Sequence, residues 1–145
     1  MENERVLFLC TGNTARSQMA EAFLRKYAGR HFEAHSAGFT PSVINPYTER
    51  VMREIGIDLS GQHSKSVKEY LGKMSFTYLI TICAEEEANC PTTFLGISHR
   101  LSWPFDDPAA VGRSEEEKLH KFREVRDQIE KRIRLWIEEK GISQE

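Results

Sequence analysis

The sequence predicts an α/β domain of three layers, in which a four-stranded parallel sheet carries helices on both faces. Strand-like and helix-like segments alternate along the chain, which is the pattern of a parallel sheet with crossover helices. The length of 145 residues, with 39% hydrophobic and 29% charged residues, suits one domain with a substantial core. We therefore expect a single domain over residues 1–145.

Four segments have the composition of buried strands. They are residues 6–9, 31–36, 77–82 and 97–101. The third is β-branched, aromatic and almost wholly apolar, so we place it in the centre of the sheet. Cys10 directly follows the first segment and Cys83 the third. Both cysteines therefore fall at the carboxyl ends of strands, which is the edge where open α/β sheets bind ligands.

Helices are predicted between these strands from apolar spacing and end signals. Asn45 with Pro46 marks one helix start, and Ser114 marks the start of a long final helix. A short helix is expected to begin at Val67. The four helices are predicted to end at Gly29, Gly56, Leu71 and Gly141. The two prolines of residues 103–108 predict a loop there.

Composition excludes several classes of function. A net charge of −2 gives no overall field for nucleic acid or an anionic membrane. No apolar run reaches membrane-spanning length, and the N-terminus lacks the pattern of a signal peptide. Three cysteines cannot all pair, which favours reactive thiols in a reducing cytoplasm. The cysteines are too dispersed for structural zinc, and we expect no metal and no cofactor.

The loop Cys10-Thr11-Gly12-Asn13-Thr14-Ala15-Arg16-Ser17 carries the chemistry of the chain. It connects a strand to a helix N-terminus, where unpaired N–H groups and the helix dipole favour an anion. We expect Cys10 to ionise readily there, Arg16 to grip a tetrahedral oxyanion, and Ser17 to donate a hydrogen bond to the thiolate. Gly12 permits a tight turn, and Asn13 tolerates left-handed backbone. The alternative is that Cys10 is simply a small buried hydrophobic residue at a strand end, but that would not explain the spacing of Cys10, Gly12, Asn13, Arg16 and Ser17.

At this point the chain resembles a known family. Cys10 to Ser17 matches the Cys-X5-Arg-Ser loop of the low-molecular-weight protein tyrosine phosphatases. The resemblance is closer to the arsenate reductases that share that fold and are recycled by thioredoxin. It is carried in order by residues 10–21, Ser36-Ala37-Gly38, Asn45-Pro46, Cys83, Cys90-Pro91 and residues 103–108.

The resemblance implies reduction of arsenate to arsenite in arsenic detoxification. Cys10 would attack arsenate, with Arg16 and the loop holding the oxyanion. Asp107, directly before Pro108, matches the general acid of the family. The neighbouring Asp106 we interpret as a solvated turn residue.

The resemblance also implies a relay of disulfides, first Cys10–Cys83 and then Cys83–Cys90, which thioredoxin or a similar dithiol would reduce. Six residues separate Cys83 from Cys90, roughly 10 Å if they are helical. A disulfide allows only ~4.4–6.8 Å between Cα atoms. The segment 84–89 would therefore have to change shape during the relay. Taken alone, Cys83 could be a buried strand-end thiol and Cys90 an inert surface thiol.

Two other functions stay open at this point. A phosphatase acting on phosphotyrosine or small phosphomonoesters would use the same Cys10, Arg16 and Asp107. The other possibility is a non-catalytic module that binds an oxyanion. The presence of Cys10, Arg16 and Asp107 argues against it. In either enzyme we expect a monomer.

One position departs from the pattern of the relatives. Some of them hold a potassium ion near the loop through an Asn, a Glu, a Ser and an Asp. Asn13, Glu21 and Ser36 match three of these, but Lys65 stands where the Asp would align. An ammonium group cannot bind a cation, so we expect no potassium dependence. Asn13 and Ser36 are still expected to brace the loop by hydrogen bonds.

Overall fold

The strands of the protein form one parallel sheet. In the computed structural model, which describes residues 3–70, 73–83, 99–110 and 112–145, the strand order is β2-β1-β3-β4. The strands are β1 (Glu4–Cys10), β2 (Phe32–Gly38), β3 (Tyr78–Thr81) and β4 (His99–Ser102). All four predicted strands are therefore present, and the parallel sheet is confirmed.

Three α-helices and two short 3-10 turns complete the described elements. The helices are α1 (Arg16–Ala28), α2 (Pro46–Arg53) and α3 (Glu115–Glu139), and the 3-10 turns cover Val67–Glu69 and Pro108–Ala110. Asn45 caps α2 by accepting from the Tyr47 N–H, and Ser114 caps α3 by accepting from the Glu117 N–H, as predicted. Among the described residues, no helix has the length and apolar character needed to cross a membrane.

Alternate residues of β1 supply two separate cores, as expected of a strand buried on both faces. Val6 and Phe8 belong to the larger core, which also holds the buried sides of α1, α2 and α3. Leu7 and Leu9 belong to a smaller core on the other face, closed by Val67 and the segment that follows it. The central position of β1 therefore fixes Cys10, its last residue, between two packed layers.

Two predicted helix boundaries differ from the structure. Helix α2 ends at Arg53, three residues before Gly56, because the chain tightens there into turns. Gly56 has a φ of 81° and serves the turn after the helix, not its last residue. The helix expected from Val67 to Leu71 is a single 3-10 turn over Val67–Glu69, capped by Ser66; Leu71 lies outside the described residues.

Candidate active site

The loop between β1 and α1 forms a cradle at the carboxyl edge of the sheet. Asn13 has a φ of 55°, which is the left-handed conformation expected at this position. The residue before α1, Ala15, provides no side-chain cap. The first N–H groups of α1 are therefore not occupied by a capping side chain, and they favour a bound anion.

Cys10 is a free thiol at the base of this cradle and is only 2% exposed. Its Sγ lies 2.8 Å from Ser17 Oγ, and the Asn13 backbone N–H donates to the same sulfur at 3.2 Å. Both groups can donate to a thiolate, so the contact expected between Ser17 and Cys10 is present.

A chain of buried hydrogen bonds reaches the Ser17 hydroxyl. The Asn13 side-chain amide donates to Ser17 Oγ at 2.8 Å and to Ser36 Oγ at 3.0 Å. Ser36 in turn donates to Glu21 Oε1 at 2.6 Å. Ser17 Oγ accepts from Asn13, which leaves its own hydrogen available to donate to the Cys10 sulfur when that sulfur is a thiolate. The predicted bracing by Asn13 and Ser36 is thus present.

The orientation of the Asn13 side chain is fixed by the partners of its oxygen. Asn13 Oδ1 accepts from the Lys65 backbone N–H at 2.8 Å and from the Gln18 side-chain amide at 2.9 Å. If the amide were flipped, its NH2 group would face two N–H donors and could not form hydrogen bonds with them. The NH2 group of Asn13 therefore faces Ser17 and Ser36. Sequence reasoning included Gln18 in the matching stretch but gave it no role, because nothing in the local sequence signals this buried contact.

Gly38, part of the matching stretch Ser36-Ala37-Gly38, has a packing role that sequence reasoning did not assign to it. It pairs with Cys10 in the sheet, and the cradle packs directly against it. A Cβ at Gly38 would lie 2.7 Å from the Thr11 carbonyl oxygen and 2.9 Å from the Asn13 nitrogen, closer than van der Waals contact permits. The cradle therefore takes this shape only beside a glycine.

One buried carboxylate and two cationic side chains lie behind the cradle. Glu21 is 4% exposed, and its carboxylate pairs with Arg25 at 2.7 Å and lies 3.8 Å from Lys65 Nζ. Burial lowers the pKa of the Lys65 ammonium, while the charge of Glu21 acts in the opposite direction. The Glu21 carboxylate, which accepts the hydrogen bond from Ser36, is thus neutralised by two neighbouring cations, Arg25 and Lys65.

Arg16 and Asp107 meet Cys10 in one cavity of about 390 Å³. The cavity is lined by Cys10, Thr11, Gly12, Thr14, Ala15, Arg16, Asp107 and Ala109. Arg16 Nη1 donates to the Phe105 carbonyl at 3.0 Å, which ties the cradle to the segment that carries Asp107. Asn13 and Ser17, both fully buried, support the cradle from behind instead of lining the cavity.

Asp106 and Asp107 have different surroundings. Asp107 accepts from the Ala109 N–H at 3.0 Å within its own turn, and its side chain borders the cavity. The Asp106 carboxylate is 70% exposed, as expected of a solvated turn, but it also pairs with Lys121 of α3 at 2.9 Å. This ion pair spans 15 residues of sequence, and the loop composition did not predict it.

Cys83 lies beyond the end of β3, the strand beside β1. Leu9 pairs with Thr81, and the Ile82 N–H donates to the Leu9 carbonyl at 2.9 Å. Cys83 therefore follows β3 at the same edge of the sheet at which Cys10 ends β1. Cys83 is 1% exposed. Cys90 and the segment 84–89 lie outside the described residues, so the relay stays a prediction.

Comparison with known proteins gives consistent matches over nearly the whole chain. A family model described as low molecular weight phosphotyrosine protein phosphatase matches residues 5–145. The arsenate reductase of Halalkalibacterium halodurans is 42% identical over 139 residues, covering 95% of this chain and 98% of that protein.

Solved structures give the same result. An arsenate reductase in the phosphate binding state superposes with a TM-score of 0.78 at 29% identity, covering 94% of this chain and 98% of that one. A thioredoxin-dependent arsenate reductase of Corynebacterium glutamicum has a TM-score of 0.67 at 31% identity, covering 92% of this chain and 60% of that one.

Proposed function

This chain belongs to the low molecular weight phosphotyrosine protein phosphatase family, and from that premise we propose that it reduces arsenate to arsenite. The observation that carries the proposal is the position of Cys83, buried beyond the end of the strand next to that of Cys10. A phosphatase needs the cradle, the arginine and the aspartate, but it has no use for a second cysteine there. The arsenate reductases among its relatives support the same reading.

In the first step, arsenate occupies the cradle formed by residues 11–17. The Cys10 thiolate attacks arsenic while Arg16 and the backbone N–H groups balance the charge of the oxyanion. Asp107 donates a proton to the departing oxygen, which leaves as water. The product is a covalent adduct in which Cys10 sulfur is bonded to pentavalent arsenic.

In the second step, arsenic is reduced. The Cys83 thiolate attacks the Cys10 sulfur, so that a sulfur–sulfur bond forms and the arsenic–sulfur bond breaks. The electron pair of the broken bond stays on arsenic, which leaves as arsenite. Cys90 then attacks Cys83 and releases the Cys10 thiolate, and a dithiol protein such as thioredoxin reduces the Cys83–Cys90 disulfide. A thioredoxin-dependent relative supports this choice of reductant.

A phosphatase is the second candidate, because Cys10, Arg16 and Asp107 line one cavity without any contribution from Cys83. Phosphate and arsenate have the same shape and charge, so the same cradle accepts both. The two reactions diverge after the covalent adduct forms, when either water or the Cys83 thiolate attacks.

The test supplies arsenate, thioredoxin, thioredoxin reductase and NADPH, and compares the wild type with Cys83→Ser and Cys90→Ser. We expect arsenate-dependent NADPH oxidation in the wild type alone, with Cys10→Ser as the inactive control. Oxidation that survives both substitutions would overturn the relay. Hydrolysis of p-nitrophenyl phosphate that is fast and independent of Cys83 and Cys90, without arsenate reduction, would establish the phosphatase instead.

A further inference from the structure

A lysine side chain is buried directly behind the cradle. Lys65 is 8% exposed, although lysine is rarely buried without a partner. Its Nζ donates to the His63 carbonyl at 2.8 Å and lies 3.8 Å from Glu21 Oε1. The ammonium group is thus positioned by one hydrogen bond and one ion pair.

The backbone of Lys65 is part of the same structure. Its N–H donates to Asn13 Oδ1 at 2.8 Å, and its carbonyl accepts from the Gly38 N–H at 2.8 Å. Asn13 and Gly38 are the residues that shape the cradle. The position of the Lys65 ammonium relative to Cys10 is therefore set by hydrogen bonds at both ends of the residue.

The ammonium lies at the far end of the hydrogen-bond chain that reaches Cys10. Glu21 Oε1 accepts from Ser36, Ser36 accepts from Asn13, and Asn13 donates to Ser17. Without a nearby cation, the buried carboxylate would carry an uncompensated charge. The second cation at Glu21, Arg25, has a half-exposed side chain that solvent screens.

A bound potassium ion does not fit the same residues in this chain. Asn13 Oδ1 already accepts from Lys65 and Gln18, and Ser36 Oγ accepts from Asn13. These oxygens have protein donors where a hard cation would need free lone pairs. A second positive charge beside the Lys65 ammonium would also be repelled.

We propose that the Lys65 ammonium is the resident cation of this site, and that it takes the place of a bound monovalent metal ion as the positioning residue for Glu21, Ser36 and Asn13. Through these residues it orients the Ser17 hydroxyl on Cys10. The network is the same for any oxyanion in the cradle, so this inference does not rest on arsenate being the substrate.

The test compares the wild type with Lys65→Ala and with Lys68→Ala, an exposed lysine of the same segment that serves as the matched control. Thermal melting is measured in potassium, sodium and choline chloride at one ionic strength. We expect the wild type and Lys68→Ala to melt at the same temperature in all three salts. Lys65→Ala frees only the two oxygens that face the ammonium, Glu21 Oε1 and the His63 carbonyl. Potassium bound at these two oxygens should raise the Tm of the variant by about 3 °C over choline.

The second measurement is the rate at which iodoacetamide alkylates Cys10, read by peptide mass spectrometry at one pH. We expect alkylation to be about fivefold slower in Lys65→Ala in choline chloride, because Glu21 then lacks its buried counter-charge, and potassium or propylammonium to restore it. Lys65→Gln, which keeps most of the side-chain volume, takes the place of Lys65→Ala in both measurements should the alanine variant not fold.

A wild type whose melting temperature rises specifically with potassium would overturn the proposal. Unchanged Cys10 alkylation in the Lys65 variants would overturn it as well, since a merely structural lysine would not act on Cys10. Neither measurement involves arsenate, so failure here and failure of the proposed reduction are separate results.

Discussion

The two sides of the cavity are built in different ways. On the side of Cys10, the supporting residues Asn13, Ser17 and Ser36 are fully buried and bonded to one another. On the opposite side, Asp107 is half-buried and accepts a hydrogen bond from within its own turn. The nucleophile is therefore positioned before any anion arrives, whereas the acid depends on how a short loop is attached.

Arg16 joins these two sides, because it lines the cradle and donates to the Phe105 carbonyl of the loop. Arg16→Lys keeps the charge but loses the planar pair of donors that matches an oxyanion. We expect kcat/KM for arsenate to fall about 1000-fold, a larger loss than that of any other single substitution in the cavity that leaves Cys10 in place. Steady-state kinetics measure it, with circular dichroism as the control for folding. A loss below tenfold would mean that charge alone suffices.

Asp107→Asn tests the loop side by itself. The amide cannot donate an acidic proton to the departing oxygen, so we expect kcat to fall about 100-fold. The melting temperature should stay close to that of the wild type, since Asp107 makes its hydrogen bond within one turn. Asp106→Asn is the matched control and should keep at least half of the activity. Equal losses in the two variants would refute the assignment of Asp107 as the acid.

Asn13→Ala tests the buried side, and there activity and stability should fall together. The substitution removes three buried hydrogen bonds. The Lys65 backbone N–H loses its acceptor, and the hydroxyl oxygens of Ser17 and Ser36 each lose the amide donor. We expect the free energy of unfolding to drop by about 3 kcal/mol and activity to drop about 30-fold. Urea unfolding and arsenate kinetics measure the two effects.

Asn45→Ala is the control for the Asn13 variant. It removes the cap of α2, costs about 1 kcal/mol, and should leave activity within about twofold of the wild type. If Asn13→Ala behaved in the same way, the buried network would be structural only, and the contrast between the two sides would disappear.

The same contrast explains what the sequence could and could not predict. The strand, the cradle and the start of α1 are contiguous, so apolar spacing and the order of Cys10, Asn13, Arg16 and Ser17 indicated them correctly. The need for a glycine at position 38 could not be predicted in this way. It arises because the cradle approaches Gly38 closely across the sheet, and the local sequence around Gly38 does not indicate a contact between distant segments.

Ion pairs between residues that are distant in sequence could not be predicted either, because they also depend on how the segments pack. Lys121 is one of the many charged residues of α3, which from sequence alone are typical of a solvated helix face. Only the packing of α3 brings it to Asp106. The composition of either segment alone favours solvation, so the pairing had to be seen in the structure.

Lys121→Met gives the smallest expected effect and sharpens the comparison on the loop side. The side chain of Lys121 is mostly buried, but its partner Asp106 is exposed, and such pairs contribute about 0.5 kcal/mol. We expect arsenate reduction to slow about twofold, because Asp106 adjoins Asp107 and holds the loop to α3. A tenfold loss would show that the loop is as firmly preorganised as the cradle.

The pH dependence of this pair has a definite sign. The hydrogen bond from Lys121 to Asp106 raises the pKa of the lysine above its ordinary 10.5. The folded state therefore binds the proton more tightly than the unfolded state, and the pair stabilises the fold below pH 10.5. As the pH rises through the raised pKa, that contribution is lost. The difference in unfolding free energy between the wild type and Lys121→Met should thus be present at neutral pH and vanish in strong alkali. A difference that persists there would mean that the Lys121 side chain acts through packing of its methylene groups instead of its charge.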